Sequence, residues 1–386
     1  MNKHFKIFSA VSMAILTAAC FAACSDGNGD GSSSSESTST SWTASEGLEI
    51  AIHTSTSESF ATVTGLGSCT DEIIYLPETY QGVKVTNVGN KAFMNVTSAS
   101  KIVFSKNISM IDNAANSSSN AFRGCTAEVD MSLATDMWYI SYNAFAYYEG
   151  TTVTLSESLR SLSNTVFQYS AITSIHIPAS VTNISYNCFE GCTALEEVTF
   201  GENSQLSALG SGNGSAFASC TSLEKIVLPT GITDYGWSLF SNCTTEISWA
   251  GPITSLVGRD GNAAIFSYYK RETFVIPDTV ETLGSKVFEN CDCTYVVVPK
   301  SVTTIGNLAF GYYTNQYAPD ELPVPYILYA GTQSEWDAIE KDGQVYYEDK
   351  TTLCFYSENP TDEGNWWHYD ENGNPQVVTV QAEDDL

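Results

Sequence analysis

The chain has 386 residues, with 16 Lys and Arg against 44 Asp and Glu, a formal charge of −28. That balance excludes a general nucleic-acid binder, which needs a basic face against phosphate, and argues against docking on anionic lipid through basic side chains. Hydrophobic residues at 43% and aromatics at 12% supply a sizeable core, so the chain as a whole is not disordered.

The first expected element is an export signal over residues 1–23. Lys3, His4 and Lys6 form a positive start, and Ile7 to Ala23 is mostly apolar and ends at small residues. That run is slightly short for a membrane span. Phe21-Ala22-Ala23-Cys24, followed by polar Ser25-Asp26, resembles a bacterial lipobox, so Cys24 is the expected lipidation site. Cys20, after Ala18-Ala19, is the alternative, though it would leave apolar Phe21-Ala22-Ala23 at the mature end. An ordinary secretory signal cut nearby is the other reading. Residues 24–41 are rich in Gly and Ser and read as a flexible tether. Asp26, Asn28 and Asp30 look like the opening of a calcium loop, but Ser37 stands where such a loop needs Glu. Residues 42–72 are the expected N-terminal cap.

From residue 73 to 323 a repeat dominates. Phe93, Phe122, Phe145, Phe167, Phe189, Phe217, Phe240, Phe266, Phe288 and Phe310 follow one another at 29, 23, 22, 22, 28, 23, 26, 22 and 22 residues. Pro178, Pro229, Pro277 and Pro299 each precede the next Phe by 11 residues and end a short β-type run such as Ser174–Ile177. Proline cannot donate to a ladder, so it suits a strand end. Apolar residues follow three and six places later, as at Val181 and Ile184, and Gly89, Gly284 and Gly306 then suggest a tight corner needing positive φ. No unit buries its own face, but stacked units bury a continuous core. Parallel pairing at about 4.8 Å per unit would give ten units a rod of roughly 45–50 Å. Asn113–Asn120 and Ser211–Ser215 are expected surface loops.

These units resemble the leucine-rich repeats of BspA-like bacterial surface proteins, in the form IxLPxxVxxIgxxAFxxCtxL. Residues 172–195 (ITSIHIPASVTNISYNCFEGCTAL) and 73–93 match it closely, and 324–339 (VPYILYAGTQSEWDAI) is similar to the family's closing unit. The resemblance implies a repeat solenoid of mostly short parallel β-strands and turns, about ten repeats of ~22 residues between N- and C-terminal caps. It also implies adhesion and coaggregation. The longer string LxxLxLxxN/CxL is absent. Residues 324–386 are the expected C-terminal capping region, with a short helix boxed by Thr332 and Glu335 and a hairpin from Trp366-Trp367 to Val377–Val380. The paired tryptophans fit either a sugar platform or a cover for the open end of the core.

Nine cysteines remain after Cys24. Five stand three residues past a repeat Phe: Cys125, Cys192, Cys220, Cys243 and Cys291. Other units put Val, Ser or Tyr there, so the position reads as a packing slot filled by reduced thiols. A disulfide framework is the alternative for an exported chain. Cys291-x-Cys293 and Cys188-x3-Cys192 lack a second pair or a nearby His, so no metal and no cofactor are expected. HExxH, Walker and GxSxG signatures are absent, and no enzyme is expected.

The outward strand face is the expected binding surface. One row across it runs Tyr75, Val103, Asp130, Thr154, His176, Thr199, Val227, Ser248, Val275 and Val297, and Tyr75, Asp130, Thr154, His176 and Thr199 are its candidate binding residues. No partner for acid–base work flanks His176, whose neighbours in the row are Thr154 and Thr199. The expected function is a lipid-anchored surface protein at the outer membrane or cell surface, held by its N-terminal lipid and binding an extracellular or cell-surface protein. No nucleic acid is expected, and no small-molecule pocket is visible. An exported hydrolase with a carboxylate pair and a passive scaffold or immune decoy are the alternatives.

Overall fold

The computed structural model describes residues 43–54, 58–112, 119–212, 214–311, 325–348, 350–360 and 363–381. The export signal, Cys20, Cys24, the tether and most of the Asn113–Asn120 insertion lie outside the described residues. The described chain is a β-solenoid of about eleven turns, close to the ten units the sequence counts. Its described helix is confined to Gln333–Asp337 and a 3-10 turn at Arg259–Gly261.

Each turn contributes two short strands rather than the single one the repeat announces. The first is the run before the proline: Ile175 and Ile177 point inward, while Ser174 and His176 are exposed. The second lies on the return path, where pairs such as Ser161–Leu162 and Asn183–Ser185 form a separate parallel ladder. That ladder begins on an antiparallel hairpin, Glu49–Thr54 with Ser59–Gly65, and runs through successive turns to Asp234–Tyr235.

The core is one continuous cluster filled in repeat register. Phe167, Phe189 and Phe217 are fully buried. Their rings stack at 5.3 and 5.1 Å and lie within 3° of parallel. Two further stacks, Phe145 on Phe167 at 5.1 Å and Phe288 on Phe310 at 5.5 Å, repeat the arrangement. No ring contact joins Phe240 to Phe266 among the described residues, and the return ladder between those two turns is reduced to an isolated bridge, Tyr235 to Gly258.

The corners differ from the sequence expectation. Gly89, Gly284 and Gly306 are not among the residues with positive φ. They are small because neighbouring turns pass close by: a Cβ on Gly306 would stand 2.3 Å from the Ser285 backbone nitrogen. The left-handed positions fall instead two residues before and after many of the phenylalanines, as at Asn143 and Tyr147, Thr165 and Tyr169, Asn187 and Gly191, Lys286 and Asn290. Asn and Gly tolerate that conformation; bulky and β-branched side chains are strained in it.

The slot three residues past Phe is apolar, and in several turns its side chain also serves as a donor. The thiols of Cys192, Cys220 and Cys243 donate to the carbonyls of Phe167, Phe189 and Phe217, each on the preceding turn, at 3.0–3.1 Å. In the same slot the hydroxyls of Tyr148 and Tyr269 donate to the carbonyls of Ala127 and Thr245. All nine described cysteines are free and buried.

The Thr332–Glu335 capping box forms. The last hairpin pairs Gly364–Tyr369 with Pro375–Val380. Trp367 is 1% exposed and packs on Val297, Leu328 and Cys354 as a second apolar cluster, its indole N–H donating to the Tyr329 carbonyl at 2.7 Å. Trp367 is therefore a cover and presents no sugar platform.

Candidate functional site

The rows read from the sequence are the rows of the outward strand face. Tyr75 pairs with Val103, Val103 with Asp130, and Asp130 with Thr154. His176 pairs with Thr199, Val227 with Ser248, and Val275 with Val297. Alternation assigned all of them outward, and two are nonetheless buried. Val103 is 5% exposed between Tyr75 and Asp130, and Val297 is covered by the Trp367 cluster. Val227 and Val275, in contrast, are 50% and 56% exposed.

Electrostatic order on this face is concentrated near its start. Lys101 lies 3.0 Å from Glu128 and 2.9 Å from Asp130. The hydrogen bond to Asp130 is the largest influence holding the Lys101 ammonium above its ordinary pKa. Partial burial pushes Asp130 upward, but bonds from Ser132 and Lys101 outweigh it, and the carboxyl lies below the usual range. Further along, the exposed His176 Nδ1 sits 2.9 Å from Thr199 Oγ1. Thr154 lies on the adjacent turn, but no strand pairing joins its strand to that of His176. Among the described residues no group of three or more His, Cys, Asp or Glu could hold a metal ion.

That missing pairing is general. The outward face is not one ladder but four, broken after Val153–Thr154, after Glu197–Phe200 and after Glu246–Trp249. Each break opens a cavity. One of about 220 Å³ lies between Thr152–Leu155 and Ser174–His176, and one of about 240 Å³ between Glu246–Ile247 and Thr273–Val275. The middle break, between Glu197–Phe200 and Lys225–Leu228, holds about 570 Å³. A further polar hollow of about 520 Å³ shares Glu196 and Lys225 with it. Sequence reasoning missed these grooves. A signal for the middle one was present: Pro178 precedes Val181 by three residues, whereas Gly201 precedes its counterpart Leu206 by five, and the enlarged corner Gly201–Ser204 walls the cavity.

In comparisons with known proteins, the BspA type leucine rich repeat region matches in six copies over residues 69–193, 116–247 and 206–317. No curated protein matches the chain in sequence. Among solved structures, a leucine-rich repeat protein from Bacteroides ovatus superposes with a TM-score of 0.54 at 20% identity, covering 80% of this chain and 81% of that one. The pneumococcal vaccine antigen PcpA gives 0.44 at 17% identity, covering 82% and 93%. A leucine rich cell surface protein from Faecalibacterium prausnitzii gives 0.31 at 20% identity, covering 75% and 97%. The Bacteroides structure carries the fold and no more. With the repeat model spanning most of the solenoid and the strand and phenylalanine registers in place, the chain belongs to the BspA type leucine-rich repeat family.

Proposed function

We propose that this protein is a lipid-anchored surface protein whose outward strand face binds an extracellular or cell-surface protein, as an adhesion module. The observation that carries the reading is the strand face itself: a repeated outward surface on which Val227 and Val275 stay half exposed beside polar Thr154, His176 and Thr199. Solenoids stack short repeats into extended binding surfaces of this kind. Family membership supports a surface interaction module, and the signal and lipobox residues support export with anchoring at Cys24, or alternatively Cys20. One acyl chain holds a membrane only marginally, whereas two or more hold firmly. A binding role rather than catalysis fits a His176 whose contact is a threonine hydroxyl.

The test is saturable attachment of the purified protein to extracellular-matrix proteins or partner cells. Exchanging Asp130, Thr154, His176 and Thr199 together for Ala should weaken it. Unchanged attachment would remove the strand face from the account. Mass spectrometry of the mature N-terminus decides between an acylated Cys24, an acylated Cys20 and an unlipidated end.

A further inference from the structure

We propose that the middle break in the strand face, between Glu197–Phe200 and Lys225–Leu228, is a docking groove for an extended peptide segment carrying one apolar side chain flanked by Lys or Arg. This deepens the binding reading above and rests on it. Three independent features converge there. First, the two strands are neighbours with no backbone hydrogen bond between them, so both present unpaired N–H and C=O groups toward the seam. Unsatisfied strand edges are the groups that extended peptides use. Second, the seam is deep enough to take a side chain. Phe200, Val227 and Pro229 give it apolar walls, and the enlarged corner Gly201–Ser204 closes one end. The two hollows together follow the strands for four to five residues, roughly 15 Å at strand rise.

Third, the rim is acidic. Glu196, Glu197 and Glu202 line the main cavity and Glu224 its continuation, with Lys225 the single cation in both. None of the four carboxylates takes part in an ion pair among the described residues. They stand open to a cationic partner, and the whole chain at −28 steers toward the same sign. The other two breaks lack this combination: their cavities are less than half as large, and at the later one Arg271 already pairs with Glu246 at 3.3 Å.

The experiment uses the full chain and three dye-labelled heptapeptides read by fluorescence anisotropy. One has a central Leu flanked by Lys, the second keeps Leu but is flanked by Glu, and the third keeps Lys but has Ser at the centre. The Lys–Leu peptide is expected to bind at least about tenfold more tightly than either control, and to weaken as salt is raised. Val227→Lys and Glu197→Lys should each lower its affinity by about tenfold, while Glu281→Lys, the same charge reversal at an exposed position outside the groove, should not. Both groove positions are exposed, so the variants keep the fold, which an unchanged melting curve verifies. Equal binding of the Lys and Glu peptides overturns the proposal, as does an equal loss in Glu281→Lys. Cell attachment of Val227→Lys is read in parallel. Wild-type-like attachment without peptide binding sinks the groove and leaves the adhesion reading standing; no attachment by the wild type sinks that reading whatever the peptides do.

Discussion

Gly191 lies beneath the ring of Tyr169: a Cβ built on the glycine would stand 2.2 Å from Tyr169 Cδ1. Gly191 also has φ 71°, and Tyr169 itself φ 57°. Gly191→Ala therefore meets two penalties. The left-handed backbone alone costs about 1–2 kcal/mol for a residue with a side chain, and the clash adds to it. Urea unfolding should show the loss, and Tyr169→Ala in the same background should return the steric part only. A neutral Gly191→Ala would mean the corner relaxes freely.

Phe189 stacks on Phe167 and Phe217 and is fully buried. Phe189→Ala leaves a void between two packed rings, at a cost of about 3–5 kcal/mol. The melting temperature should fall steeply, and the same change at half-exposed Val227 should barely move it.

Glu289 is 6% exposed, and burial raises its carboxyl pKa despite Lys286 at 3.6 Å. An acid raised on folding binds its proton more tightly in the native state, so its contribution is favourable at low pH and is lost as pH rises past the unfolded carboxylate value. Glu289→Gln should accordingly raise the melting temperature at pH 7 and have no such benefit near pH 4. A benefit larger at the lower pH would reverse the sign of this argument.

Burial pushes the thiols of Cys125 and Cys192 up to about 11 and that of Cys354 to about 12. Thiolate is the reactive form, so alkylation of the native protein at pH 8 should be slow at Cys125, Cys192 and Cys354 and complete in denaturant. The Cys291 and Cys293 sulfurs are 2.7 Å apart. Their burial shields them from thiolate exchange in the native state, so oxidised glutathione should join these two only once partial denaturation opens the site, as peptide mapping under non-reducing conditions would show.

The parts of the fold legible in the sequence are those written by one residue type at one place per turn. Pro178 marks a strand end, Phe189 a core slot, and the alternation of Ser174 to Ile177 a face. The return strand was not legible because two residues, such as Ser161 and Leu162, carry no period that could separate a strand from a turn. The glycine corners were misread because Gly306 answers to a neighbouring turn, and a contact between turns leaves no mark within one of them. Val297 was misplaced for a related reason: alternation names a face, whereas Trp367, seventy residues later, decides whether that face is covered. The breaks in the outward ladder belong to the same class, since whether two neighbouring strands bond depends on both turns at once.

Between the turns of Phe240 and Phe266 the phenylalanine column stops and the return ladder thins to one isolated bridge, Tyr235 to Gly258, while the outward strands Lys225–Leu228 and Glu246–Trp249 stay paired. Corner bonds still cross, from Ser238, Leu239 and Asn242 to the carbonyls of Ala264, Ile265 and Tyr268. In a chain of units coupled only to their nearest neighbours, the coupling energy at each junction sets how far melting spreads. This junction differs from its neighbours in lacking the ring stack and most of the return ladder. A pulling force or rising temperature would meet there a joint without ring stacking, held by the outward strand pairs, the corner bonds and a stretch of apolar core.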